Sequence, residues 1–274
     1  MDWSGAHVVI TGGSSGIGEA LALTVAAKGS SLTLLARGRA RLDDVVGRAA
    51  APRPGGDGTG AAAIAGMACD VSDRAAVSAA LDRAVAERGP VDVLVCSAGI
   101  TRPGRFLELD DDVFTSMVDV DYYGTLWPVR AVAPAMVARG RGSIVGVASA
   151  AALVGVYGYS AYGAAKFAVR GLLESVRTEL APHGVHVGCV FPPDVDTPML
   201  ADEDPYKPAE TRAIAGSIKP ISAQRVADAI VAGIEDRRAE IYADVQTRAL
   251  ARTVATAPGV YRVLFDRRVR AARD

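Results

Sequence analysis

The strongest constraint on this chain lies at its start. Val8-Val9-Ile10-Thr11 runs straight into Gly12-Gly13-Ser14-Ser15-Gly16-Ile17-Gly18, and apolar residues at helical spacing (Ile17, Leu21, Val25) follow until Gly29. A short β-rich run, a glycine-rich turn and a helix make one βα unit. Glycines let the backbone turn sharply and approach a bound group, and the helix N-terminus favours negative charge. Gly12, Ser14, Ser15, Gly16, Ile17 and Gly18 therefore read as a cradle for a pyrophosphate. A P-loop is excluded, because no Lys-Ser/Thr pair follows the last glycine.

The same rhythm continues along the chain. Strands are expected over 7–11, 31–36, 64–69, 91–96, 143–148, 185–191 and 240–243. Between them, helices are expected over 16–28, 39–50, 72–88, 160–180, 205–217 and 222–236. A longer helix starts near 110–112, where carboxylates suit an N-terminus, and runs to about 137. Pro128 and Pro134 predict a kink or break in it. The Pro/Gly-rich segment 51–60 reads as a surface loop rather than a domain boundary, since the rhythm resumes at once. Seven strands alternating with helices define the class as α/β: a single Rossmann-type domain over 1–246, with a doubly wound, seven-stranded parallel sheet and helices on both faces.

Composition excludes several functions. With 50% hydrophobic and 22% charged residues the chain is ordinary globular protein, and a net charge of −1 gives no case for nucleic-acid binding. Cys69, Cys96 and Cys189 all fall in strand-like runs without zinc-ligand spacing, so no metal site is expected. They read as buried free thiols of a reducing cytoplasm. No signal peptide and no membrane span are expected.

Two further groups of residues carry chemistry. Tyr162 and Lys166 are four apart on a predicted helix and share a face. A nearby ammonium stabilises tyrosinate, making Tyr162 an acid or base, and Ser149 at the end of the preceding strand can hydrogen-bond a carbonyl oxygen. The second strand ends in Arg37, with Arg39 and Arg41 next, where an NAD site wants a carboxylate. Asp43 and Asp44 already lie inside the helix. A guanidinium suits a 2′-phosphate, so NADP(H) is the expected cofactor, held by Arg37 and Arg41. Asp70 ends the third strand, with Val71 beside it, and is placed for the adenine amine or for a helix cap.

At these residues the chain resembles the short-chain dehydrogenase/reductase family. Thr11–Gly18 matches the family's glycine loop, Asp70 its adenine contact, and Ser149, Tyr162 and Lys166 its catalytic Ser-Tyr-Lys. Val195 and Thr197 stand where the family meets the nicotinamide carboxamide. The usual Asn-Ala-Gly reads Ser97-Ala98-Gly99 here, and the usual helix asparagine is Asp121. That asparagine normally holds a water on the lysine relay, so Asp121 is a fourth catalytic candidate. Within the family, Pro192-Pro193-Asp194-Val195-Asp196-Thr197-Pro198, Lys207–Thr211 and Gly158–Tyr162 resemble 3-ketodihydrosphingosine reductases. This implies NADPH-dependent reduction of a lipophilic ketone, a long-chain 3-ketosphingoid base. Another carbonyl (steroid or 3-ketoacyl) and a non-catalytic NADP(H)-sensing protein are the alternatives. Leu153, Val154, Val156, Tyr157, Met199 and Leu200 are candidates to line a lipid pocket. The resemblance also implies a homodimer or homotetramer, for which Ala161, Ala164, Ala165 and Ala168 would permit close helix approach.

The segment 247–274 holds seven arginines against Asp266 and Asp274, a local charge of +5. Leu250, Val254, Val260, Val263, Leu264 and Phe265 are interleaved with them. Such a tail reads as an amphipathic anchor, split by Pro258-Gly259, that would bring a cytoplasmic protein to the inner face of a membrane.

Overall fold

The computed structural model describes residues 1–51, 63–215 and 219–272, with the side chains of residues 215 and 264 outside that description. Nearly all of the expected loop over 51–60, the end of the helix expected over 205–217, the Leu264 side chain and the last two residues thus lie outside the described residues. The strands are β1 (His7–Thr11), β2 (Ser31–Ala36), β3 (Ile64–Ala68), β4 (Val93–Cys96), β5 (Gly142–Val147), β6 (Val185–Val190), β7 (Val195–Asp196), β8 (Ile221–Ser222) and β9 (Glu240–Ile241). Seven form one sheet in the order β3-β2-β1-β4-β5-β6-β9, every pair parallel, while β7 pairs with β8 apart from it.

Side chains alternate across this sheet, as strand geometry requires. Val8 and Ile10 face one cluster, with Leu21 and Val25 of α1 (Gly16–Ala27), Leu42 of α2 (Arg39–Ala50) and Ile230 of α9 (Ala223–Glu235). Val9 and Leu94 face the other, with Leu81 of α3 (Arg74–Arg88), Met136 of α5 (Gly124–Arg139) and Leu173 of α6 (Ser160–Leu180). A sheet covered on both faces explains why its strands read as unbroken apolar runs. The three cysteines sit in these layers, and burial pushes the Cys69 thiol up to about 11 and those of Cys96 and Cys189 up to about 12.

The helix expected over 110–137 is broken, but not at its prolines. α4 (Asp111–Met117) passes into a π-helical turn, Val118–Tyr123, before α5 begins at Gly124. Pro128 and Pro134 lie inside α5. The wider π turn is placed where Asp121 projects inward, completely buried.

Past β6 come α7 (Pro198–Glu203), capped by the Thr197 hydroxyl, and α8 (Ala209–Ala215). The basic tail forms α10 (Val245–Thr256) and α11 (Pro258–Ala271), and α11 packs against α8. Most of its apolar stripe therefore faces protein. Leu250, Val254 and Tyr261 pack against the core, while Val260 and Val263 stay exposed.

Candidate active site

Parallel strands in register bring their C-terminal ends to one level. Thr11 pairs with Cys96, Cys96 with Gly146, and Val147 with Val190. The loops after β1, β4, β5 and β6 therefore open on the same edge, beside the point where strand order reverses around β1. That is where an open α/β sheet binds its ligands. A single cavity of about 620 Å³ runs along this edge from Arg37 and Arg41 at one end to Ser149 and Tyr162 and on to α11.

The glycine loop forms the floor of the first half. Gly12 has φ +70°, and a Cβ there would lie 2.7 Å from the Ala98 backbone nitrogen, so only glycine lets the β1 and β4 loops meet. Thr11 Oγ1 fixes that meeting by accepting from the backbone nitrogens of Ser97 and Ala98, at 3.2 Å each. Ser14, Ser15, Gly16 and Ile17 line the cavity; Gly18 is the third residue of α1 and packs against the Gly12 carbonyl. The cradle is thus built, and a pyrophosphate fits it.

Arg37 and Arg41 line the adjoining wall, exposed and without an ion pair among the described residues, whereas Arg39 is paired with Asp43 at 3.1 Å. Asp70 and Val71 line the wall opposite. Asp70 Oδ1 accepts from the backbone nitrogen and hydroxyl of Ser72, which hold its carboxyl below the usual range, with Arg37 adding to the effect. The cap of α3 is a different residue, Asp73.

The second half holds the titratable groups. Lys166 Nζ donates to the Val147 carbonyl at 3.1 Å and lies 3.5 Å from Asp121 Oδ1. Asp121 Oδ1 also accepts from the Ile100 backbone nitrogen at 3.0 Å, while its Oδ2 is buried without a partner. Gly99 makes this approach feasible, since a Cβ there would sit 2.7 Å from Asp121 Oδ1. Lys166 Nζ lies 5.6 Å from the centre of the Tyr162 ring. Ser149 caps a short 3₁₀ turn through its hydroxyl and interacts with Tyr162.

The sign of the Tyr162 shift corrects the expectation. Burial raises the phenol above its ordinary value, and Asp121 raises it further. Lys166 and Ser149 pull it down but do not win. Burial raises Asp121 as well, against the pull of Lys166. For Lys166, burial works downward but is outweighed by Asp121 and Tyr162 together, and the net shift is up. Removing the Asp121 charge should lower the Tyr162 pKa. Reduction uses the protonated phenol, so Asp121→Asn is expected to move the alkaline fall of the kcat/KM–pH profile to lower pH. An unshifted profile would separate the carboxylate from Tyr162.

Val195 and Thr197 line the cavity beside Pro192, and Thr197 meets Gly16 across it. Thr197 Oγ1 donates to the Val195 carbonyl at 3.1 Å. Of the expected lipid-lining residues, Val154, Val156, Met199 and Leu200 line the cavity. Leu153 and Tyr157 do not: Leu153 packs in the core, and the Tyr157 hydroxyl donates to Glu210 at 3.0 Å. Glu203 and Tyr261 also line the cavity without having been singled out in the sequence, and Tyr159, Asp194, Leu250 and Phe265, read there for other reasons, join them. Ala161 and Ala165 are buried in their own subunit, and only Ala164 and Ala168 remain on the outer face of α6.

A dinucleotide cradle leading to a half-buried tyrosine beside a buried lysine defines an oxidoreductase site. A family model described as short chain dehydrogenase matches residues 6–207, and the chain belongs to that family of nicotinamide-dependent oxidoreductases acting on C=O and CH–OH groups. It is 37% identical over 254 residues to the 3-ketodihydrosphingosine reductase of Dictyostelium discoideum, covering 89% of this chain and 76% of that protein. To the enzyme of the same name from Mus musculus it is 39% identical over 232 residues, covering 83% and 68%. A solved short chain dehydrogenase/reductase from Burkholderia phymatum in complex with NAD superposes with a TM-score of 0.82 at 26% identity, over 95% of this chain and 96% of that one.

Proposed function

We propose that the protein reduces a long-chain 3-ketosphingoid base with NADPH, converting 3-ketodihydrosphingosine to dihydrosphingosine. The observation that carries this reading is one continuous cavity with an arginine pair at its cofactor end and an apolar roof of Leu250, Tyr261 and Phe265 beyond Tyr162. The names of the similar reductases supply the substrate class.

When bound, the nicotinamide supplies the hydride. The chain's residues do the rest. The glycine loop holds the pyrophosphate, and Arg37 with Arg41 takes the 2′-phosphate. Asp70, Val71, Ala98 and Gly99 line the nucleoside path, with Val195 and Thr197 at the carboxamide. Ser149 orients and polarises the ketone oxygen as charge develops on it. Tyr162 donates the proton, and its raised pKa keeps it in the donor form. Lys166 holds the ribose and tempers the phenol, and Asp121 fixes Lys166.

The test is NADPH consumption by the whole protein with 3-ketosphinganine, steroid ketones and 3-ketoacyl thioesters. The expected result is the highest kcat/KM with 3-ketosphinganine. A higher value with either other class would replace the substrate. No consumption with any ketone would leave a nucleotide-sensing protein.

Membrane contact and self-association are finer readings. No helix among the described residues is long and apolar enough to cross a membrane. Peripheral binding is supported by Val260 and Val263, exposed among the arginines of α11. Weak, salt-reversible binding to anionic vesicles is expected, lost when 247–274 is removed; vesicle sedimentation with and without the tail checks this. Turnover should also suffer in that truncation, because the tail lines the cavity. Pairing into a homodimer or homotetramer is supported by the exposed Ala164, Phe167 and Ala168 on α6.

A further inference from the structure

The cavity wall past Tyr162 carries charge that the hydride and proton transfers do not use. Asp194 and Glu203 line it, close to Tyr159, whose ring centre is 5.8 Å from that of Tyr162. Glu203 is satisfied: it accepts from the Tyr159 hydroxyl at 2.8 Å and pairs with Lys207 at 3.0 Å. Lys207 has its second contact with Asp204, at 3.8 Å. The Asp194 side chain makes no hydrogen bond and no ion pair among the described residues. Lys207 thus serves Glu203 and Asp204, and Asp194 is left without a cation of its own. Asp202 and the tail's Arg268 also line the cavity, both solvent-exposed.

The backbone of Asp194 is firmly placed. Its carbonyl accepts from the Ile221 nitrogen at 3.0 Å where β7 meets β8. Two residues earlier, the Pro192 carbonyl accepts from the Ala150 nitrogen at 2.8 Å, which ties this segment to the residue after Ser149. Two residues of chain span at most about 7 Å. Asp194 thus sits on the segment that braces the residue after Ser149, and it lines the same cavity as Ser149 and Tyr162.

We propose that Asp194 is the specificity-determining counter-ion for a cationic amine on the carbon next to the reacting carbonyl. This rests on the reading of the substrate as a 3-ketosphingoid base, in which the amine occupies that carbon. A steroid or a ketoacyl thioester brings no such cation and would cover the half-buried Asp194 without pairing it, which penalises it. Burial already raises the Asp194 carboxyl, with Lys207 opposing and Glu203 adding to the rise, so an incoming ammonium relieves a disfavoured charge.

The first measurement follows reduction of a soluble, uncharged ketone by NADPH with the unmodified protein, and compares sphinganine with its uncharged N-acetyl derivative as inhibitors. At least tenfold tighter inhibition by sphinganine is expected, and equal inhibition would overturn the proposal. The second takes the ratio of kcat/KM for 3-ketosphinganine to that for the same ketone without its amine. Asp194→Asn should lower this ratio at least tenfold, and an unchanged ratio overturns the proposal. If sphinganine inhibits selectively but 3-ketosphinganine is not reduced, the substrate reading falls and the amine site stands.

Discussion

Tyr162→Phe is expected to lower turnover by about 10²-fold or more while NADPH still binds. The substitution removes one hydroxyl and little volume. It leaves the Lys166–Asp121 pair and the glycine loop in place, because neither depends on the phenol oxygen. No other group of the right kind stands ready: Tyr159 is tied to Glu203, and Ser149 is a far weaker acid. Steady-state turnover with a soluble ketone, beside NADPH fluorescence titration, separates chemistry from binding. Near-normal turnover would remove Tyr162 from the mechanism.

The second large effect concerns the cofactor. Arg37→Asp puts a carboxylate where the 2′-phosphate is expected. NADPH affinity should fall at least tenfold, about 1.4 kcal/mol, with NADH affected less. Arg37 is exposed at the cavity mouth, so this change carries little risk to the fold. A preference of the unmodified protein for NADH would remove Arg37 from the cofactor site.

The central sheet was legible because its strands are apolar runs of four to six residues flanked by turn residues, or, for β9, a brief run before the tail. β7 and β8 were not, since two residues carry no periodicity. The break in the long helix was assigned to proline, the breaker a sequence displays. A π turn has no such marker, and here it follows from seating Asp121 against Lys166. Ser149, Tyr162 and Lys166 stood out by spacing and resemblance. The direction of the Tyr162 shift did not, because burial has no local signature and it outweighs the neighbouring ammonium. Asp194 stood out only as part of the segment that carries the resemblance, because a place on a cavity wall has no local signature. The tail's amphipathicity reads as a face for a membrane, yet the protein itself covers Leu250, Val254 and Tyr261 and leaves Val260 and Val263 exposed.

The cavity has a floor and a roof of different origin. The floor, from Gly12 to Thr197, lies within the stretch that matches the family, residues 6–207, while the roof comes from α10 and α11, beyond that stretch. Part of what admits a substrate is therefore written apart from what reacts with it. Mutation can reshape the entrance, lengthen it or exchange its occupant without disturbing the proton donor. A lineage that keeps the first two hundred residues can diversify its diet by rewriting the last thirty.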